Sequence, residues 1–238
     1  MHNINEIKRF RDRYQMFSRT LKKQRFYEFR HRFGHLKSGY TALQNSLAQQ
    51  RRVTGQGFNL FHLLDIARSE LSHSRMLADL LNPYGSHAQG ELFLKGFLAL
   101  LQQRIPNDCI LPAAGPNWRI HTEFWAGEQG RLDIVIEHLQ EPKTIIVIEN
   151  KIDAGLQADQ LIRYANWLEN YRSDYQSHLV YLTPTGNPPP DFHQPEMPVL
   201  CLSYNRDIAG WLADCVPHTI APRVRESLTQ YQNTVSLF

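Results

Sequence analysis

Two almost purely aliphatic runs carry the groups best able to do chemistry. The first, Gly130-Arg-Leu-Asp133-Ile-Val-Ile, is interrupted by one carboxylate, and the second, Ile145-Ile-Val-Ile-Glu149-Asn150-Lys151, ends in a carboxylate and an ammonium. Runs of this kind predict buried strands. Side chains alternate along a strand, so Glu149 and Lys151 share a face. The connection 138–143 is short enough for an antiparallel hairpin, and a hairpin centred on residue 141 sets Asp133 opposite Glu149. A slip of one residue would send one carboxylate to the other face. In the centred register, two carboxylates and an ammonium meet at one end of a buried sheet.

Burying such groups is costly unless they are paired or bind a metal. Neighbouring carboxylates repel, and a divalent cation such as Mg²⁺ removes that penalty. A lysine beside them can orient water and neutralise charge on a phosphate. The set suits phosphodiester hydrolysis, with the cation as Lewis acid, water as nucleophile and Lys151 as electrostatic partner. The competing reading is an ordinary Glu–Lys pair at a fraying strand end, which Asp133 in the preceding strand weakens. Further along, Gln160 and Tyr164 are four residues apart on a predicted helix and share a face that can overhang the strand end. Upstream, Glu70, His73, Ser74 and Leu77 lie on one helix face. Taken singly, each of these also reads as a solvated or core residue.

Positioning these residues requires an ordered succession of elements. Apolar spacing predicts an amphipathic helix over residues 58–81, closed by Asn82-Pro83 and Gly85, and a second over 89–103. Strands are expected at 119–124, 131–137 and Thr144–Asn150, a helix at 158–171, strands at 178–183 and 198–203, and closing helices at 205–215 and Pro222–Val235. A loop containing Pro188-Pro189-Pro190 separates the last two strands. A hairpin followed by a helical crossover indicates an α/β fold, a central mixed sheet with helices on its faces.

Gly130-x-x-Asp133, Ile148-Glu149-Asn150-Lys151 and Gln160-x-x-x-Tyr164 together resemble the successive motifs of the PD-(D/E)XK nuclease superfamily, in its RecB-like version. Glu70-x-x-His73-Ser74 with Leu77-x-x-Leu80-Leu81-Asn82-Pro83 resembles the helical start of a bacterial branch of it. The likeness extends over residues 58–182. It implies a restriction-endonuclease-like core and Mg²⁺- or Mn²⁺-dependent cleavage of nucleic acid, most naturally DNA, in restriction, repair or anti-phage defence. By the same resemblance Asp133 and Glu149 hold the metal, joined by Glu70 and the Asn150 carbonyl. Lys151 positions the water, Gln160 joins the catalytic set, and His73, Glu123 and Tyr164 are accessory. Leu132 stands where the family name has Pro. The rival expectation is a catalytically silent nuclease-fold module that binds nucleic acid or a partner protein.

Charge divides the chain in two. The 238 residues hold 26 Lys and Arg against 23 Asp and Glu, but residues 1–52 hold 13 against 3, which leaves 13 against 20 beyond them. A basic helical arm, 1–52, is therefore expected before a nuclease domain, 53–238. In the arm Ile7, Phe10, Tyr14, Phe17 and Leu21 step by three and four. After a five-residue shift, Phe26, Phe29, Phe33, Leu36, Tyr40, Leu43 and Leu47 do the same. Gly34 and Gly39 are candidate bends. The stripe suits docking on the body or pairing with another subunit or a second copy. Lys8, Arg9, Arg11, Arg13, Arg19, Lys22, Lys23 and Arg25 suit contact with phosphates.

The composition excludes several classes. No apolar stretch has the length of a membrane span, and the first fifteen residues lack a secretory apolar core. Cys109, Cys201 and Cys215 are far apart and fit a reducing cytoplasmic setting better than a disulfide scaffold or zinc ribbon. Motifs of zinc proteases, P-loop ATPases and serine hydrolases are missing.

Overall fold

The computed structural model describes residues 2–153, 155, 159–188 and 197–238, with side chains from residue 6 onward. They form two compact units, Met1–Phe58 and Asn59–Phe238.

The N-terminal unit is a single helix, α1 (His2–Thr54). It runs without interruption through Gly34 and Gly39, so neither is a turn. Neither glycine has any atom within 4 Å of the position a Cβ would take, and nothing there requires glycine. The helix ends at Gly55, whose φ of 63° permits the left-handed cap in which its N–H donates to the Arg51 carbonyl at 2.9 Å. Arg51 and Arg52 sit in the last turn, where the helix dipole favours cations. Every seam residue from Ile7 to Leu47 is exposed.

In the C-terminal unit the helix expected over 58–81 is two helices, α2 (Leu60–Leu63) and α3 (Glu70–Leu81). Local polar groups override the apolar periodicity. Asn59 caps α2, Asp65 adopts a left-handed φ of 55° that ends it, and the Ser69 hydroxyl caps α3 by accepting the Ser72 N–H. Helix α4 (Leu92–Gln102) is apolar on most faces and largely buried.

Five strands follow, β1 (Trp118–Trp125), β2 (Arg131–His138), β3 (Thr144–Asn150), β4 (Gln176–Thr183) and β5 (Val199–Ser203), and they lie in that order in one sheet. The first three are antiparallel; β3–β4 and β4–β5 are parallel, with α5 (Gln160–Tyr171) crossing between β3 and β4. Ile134 pairs with Ile148 and Ile136 with Ile146, the register centred on residue 141. Ala158, expected in α5, and Pro189 with Pro190 lie outside the described residues. A π-helical turn, Tyr204–Ile208, leads into α6 (Ala209–Cys215), and α7 (Pro222–Val235) closes the fold.

The sheet is covered on both faces. Ile134, Ile136, Ile146, Ile148, Val180 and Leu182 face α3, α4, α6 and α7, while Val135, Ile145, Val147 and Leu179 face α5. Asn59 ties the two ends of the unit together, its amide donating to the Gln230 carbonyl and the Thr234 hydroxyl, each at 3.0 Å. No described helix is long and apolar enough to cross a membrane.

Candidate active site

At the end of β3 the aliphatic pattern gives way to Glu149, Asn150 and Lys151, and elements from both layers converge there. Glu149 is fully buried on the α5 side. Its Oε1 accepts from Lys151 Nζ at 2.7 Å and from Gln160 Nε2 at 2.7 Å, while its Oε2, also buried, has no partner among the described residues. Lys151 Nζ lies 3.8 Å from Glu70 Oε2, so one ammonium stands between two carboxylates.

Asp133 reaches the same strand end from β2, where its Oδ2 accepts the Asn150 N–H at 2.8 Å. The strand pattern slips at this residue. Leu132 packs with Val135 towards α5, although Ile134 faces the other layer. Opposite it in β1, Glu123 has a left-handed φ of 53° and drops out of a ladder that runs regularly on either side. A non-glycine residue held there is strained. Glu123 is fastened by Arg131, whose Nη1 is 2.7 Å from its Oε2.

Glu70 lies in the first turn of α3, with Oε1 accepting the Ile152 N–H at 2.8 Å. Asn150 turns its side chain to the α3 layer. Its Nδ2 donates to the Glu70 carbonyl at 2.9 Å and to Ser74 Oγ at 3.0 Å, and its Oδ1 accepts from the Tyr204 hydroxyl at 2.8 Å. Gln160, the first residue of α5, also donates to the Tyr164 hydroxyl at 2.9 Å, which in turn donates to the Arg131 carbonyl at 2.8 Å. Asp133, Glu149, Lys151, Glu70, Gln160, Asn150 and Tyr164 thus form one connected network.

His73 is placed differently. Its ring nitrogens face the Tyr231 hydroxyl at 3.0 Å and the Ala67 carbonyl at 2.8 Å, and burial holds its pKa below the ordinary imidazole value. Its neighbour Ser74 makes the contact with Asn150 instead. Tyr204 is the member that sequence reasoning missed. It lies on a π-helical turn more than fifty residues from Asn150, and no spacing rule links the two. The basic residues Lys8, Arg9, Arg11, Arg13, Arg19, Lys22, Lys23 and Arg25 are all exposed on α1, in the other unit.

The profile of the PD-(D/E)XK nuclease superfamily matches residues 58–238. The chain belongs to that superfamily. The match begins one residue before the C-terminal unit and leaves α1 outside it. No match was found among curated proteins or among solved structures.

The electrostatics of this PD-(D/E)XK unit follow from burial. Desolvation, with the Asp133 charge second, pushes the Glu149 carboxyl up to about 7, and Lys151 opposes the shift. Desolvation also raises Asp133, against the Asn150 N–H and Lys151. Burial works against the charge on Lys151, but Glu149, Asp133 and Glu70 together outweigh it and hold the ammonium protonated. Tyr164 is pushed up to about 12 by burial and then by Glu149, so its hydroxyl stays a donor. Among the described residues, no three His, Cys, Asp or Glu side chains are grouped so as to hold a metal ion. The charge between the carboxylates is that of Lys151.

Proposed function

We propose that this chain is a Mg²⁺- or Mn²⁺-dependent nuclease that hydrolyses phosphodiester bonds, with DNA the favoured substrate. The observation that carries the reading is the Glu149 carboxylate, buried with one oxygen on Lys151 and the other without a partner among the described residues. A buried anionic oxygen left unsatisfied is costly, and an incoming cation or proton removes that cost.

The donor chemistry fits a hard divalent ion. Mg²⁺ takes oxygen ligands and is commonly held by only one or two carboxylates, with water and phosphate oxygens completing its shell. Asp133 and Glu149 would hold it, with Glu70 and the Asn150 carbonyl as further oxygen donors. When bound, the ion supplies Lewis-acid activation of water and of the scissile phosphate. Lys151 neutralises developing charge on the phosphate and orients the attacking water. Gln160 and Tyr164 fix the rotamer of Glu149, and Asn150 fixes Asp133 through its backbone N–H. Glu123 acts on the site through its charge.

Residues 1–52 serve as a basic helical arm beside a nuclease domain, 53–238. Lys8, Arg9, Arg11, Arg13, Arg19, Lys22, Lys23 and Arg25 supply contacts that steer a polyanion towards an acidic site. Restriction, repair or anti-phage defence is the setting such an activity suits. A catalytically silent module would have no use for an ammonium set between the buried Glu149 carboxylate and the half-buried one of Glu70.

The test compares Mg²⁺-dependent cleavage of single- and double-stranded DNA and RNA by the wild type and Lys151→Ala. Loss of roughly 10²–10³-fold in rate is expected, the scale for one preorganised electrostatic group. No cleavage by the wild type of any form would overturn the reading; full activity in the variant would overturn the role of Lys151.

A further inference from the structure

Helix α1 presents a seam with no cover among the described residues of its own unit. The twelve residues of the seam, from Ile7 to Leu47, are between 40% and 74% exposed. Covering them would bury roughly 800 Å² on α1, the share one partner contributes to a standard stable interface. Bare apolar surface of this extent marks an interaction site.

The residues flanking the seam define what can cover it. In a two-helix packing, the positions just after Phe10, Phe17, Phe29, Leu36 and Leu43, and just before Ile7, Tyr14, Leu21, Phe26, Phe33, Tyr40 and Leu47, border the partner. Arg11, Arg13, Arg25, Arg30, Arg32 and Lys37 occupy six of these twelve positions, and Glu6 is the one acid among them. The other two acids of α1, Asp12 and Glu28, point away from the seam by the same spacing. A second copy in either direction would set more cations against cations than against acids: Arg25 meets Arg30 and Arg32 meets Lys37 when parallel, against the one attractive pair Glu6 with Arg11, and Arg11 meets Lys37 when antiparallel. Repulsive flanks of this kind discriminate against self-pairing. Nucleic acid would satisfy the cations but leave Phe10, Phe17, Phe26, Phe29 and Phe33 in water.

We propose that α1 is one strand of a heterotypic coiled coil, and that its partner is a long amphipathic helix of another polypeptide with an apolar seam flanked by Asp and Glu. The five-residue step from Leu21 to Phe26 falls two residues short of a full heptad and restricts the partner to helices that accommodate the same phase break. Of the eight cations offered to a polyanion, Lys8, Arg9, Arg19, Lys22 and Lys23 lie off the flanks and stay available to phosphates while the partner is bound, and Arg11, Arg13 and Arg25 are available only in its absence. The inference does not depend on nuclease activity.

The test uses the full chain and three synthetic forty-residue peptides. One carries leucine at the seam positions and glutamate at the flanks, one is a scrambled sequence of the same composition, and one carries lysine at the flanks. Fluorescence anisotropy should show the acidic heptad peptide binding at least tenfold more tightly than either control, and more weakly as salt is added. In a variant combining Arg11→Glu, Arg13→Glu, Arg30→Glu, Arg32→Glu and Lys37→Glu, the preference should switch to the lysine peptide, which also shows that the seam is intact. Equal binding of the scrambled peptide would reduce the effect to bulk charge and overturn the proposal. So would no peptide binding, or a homodimer in light scattering that disappears when residues 1–58 are removed. Binding of duplex DNA to α1 in place of all three peptides would assign the surface to nucleic acid instead.

Discussion

Lys151 and Glu149 lie on one face of the β3 end, and the ammonium engages only one oxygen of the carboxylate, at 2.7 Å. The other oxygen is buried without a partner among the described residues. Burial, and after it the neighbouring Asp133 charge, pushes the Glu149 carboxyl up to about 7 from its ordinary 4.5, and Lys151 on one oxygen offsets only part of that.

This asymmetry has a consequence for stability. Between pH 4.5 and about 7 the folded chain keeps a proton on Glu149 that the unfolded chain has released. Stability must then fall as pH rises through that window, and the deficit is complete above it. The shift corresponds to a deficit on the order of 3 kcal/mol. Glu149→Gln lacks this contribution, so its stability relative to the wild type should improve by about that much from pH 5 to pH 8. Urea unfolding in the presence of a chelator measures it, and parallel pH curves for the two proteins would contradict the burial argument.

Divalent ions should reverse the deficit. At a hundred times its dissociation constant, a ligand bound only by the folded state adds about 2.7 kcal/mol. Mn²⁺ should therefore raise the melting temperature of the wild type, more at pH 8 than at pH 6, because protons compete for Glu149. The double variant Asp133→Asn/Glu149→Gln should show no shift. An undiminished shift would move the ion to another part of the chain.

Asn150 joins three elements through one side chain, so its loss should cost more than an average polar residue. Asn150→Ala removes one hydrogen bond each from the Glu70 carbonyl, Ser74 and Tyr204 and should destabilise by about 2–4 kcal/mol. Tyr204→Phe removes one of those bonds and should cost about 1–2 kcal/mol. Because the two share a bond, the double variant should cost less than the sum, and strict additivity in chemical denaturation would show that the bond contributes nothing.

Gly34 and Gly39 offer a gain instead. Both are in the interior of α1 with open space around the Cβ position. Gly34→Ala and Gly39→Ala should each stabilise the helix by about 1 kcal/mol, the ordinary difference between the two residues. Circular dichroism of the full chain on heating provides the measurement. A loss of helicity would reveal a close approach at these positions.

The parts of the fold written in side-chain periodicity were legible in the sequence. The aliphatic runs around Asp133 and Glu149 define β2 and β3, and the short connection between them favours a hairpin centred near residue 141, the register that the strands adopt. The same period of two sets Glu149 beside Lys151. What escaped was written in backbone conformation. Leu60, Leu63, Leu71 and Leu77 continue one helical stripe across a break that only the left-handed Asp65 and the Ser69 cap reveal. Glu123 reads as an ordinary strand residue, yet its φ of 53° unsettles the strand pattern beside Asp133. In α1 the error ran the other way: two glycines suggest a bend where continuous helix tolerates both.

Asn59 grips Gln230 and Thr234, so the chain enters and leaves the PD-(D/E)XK unit at nearly the same place. Such a unit behaves as a cassette. A protease that cuts at Gly55 or Gly57 would remove α1 without loosening the sheet, and a short linker could rejoin the ends for circular permutation. Inheritance can exploit the same geometry, exchanging whatever precedes residue 59 while the network around Glu149 passes on unchanged.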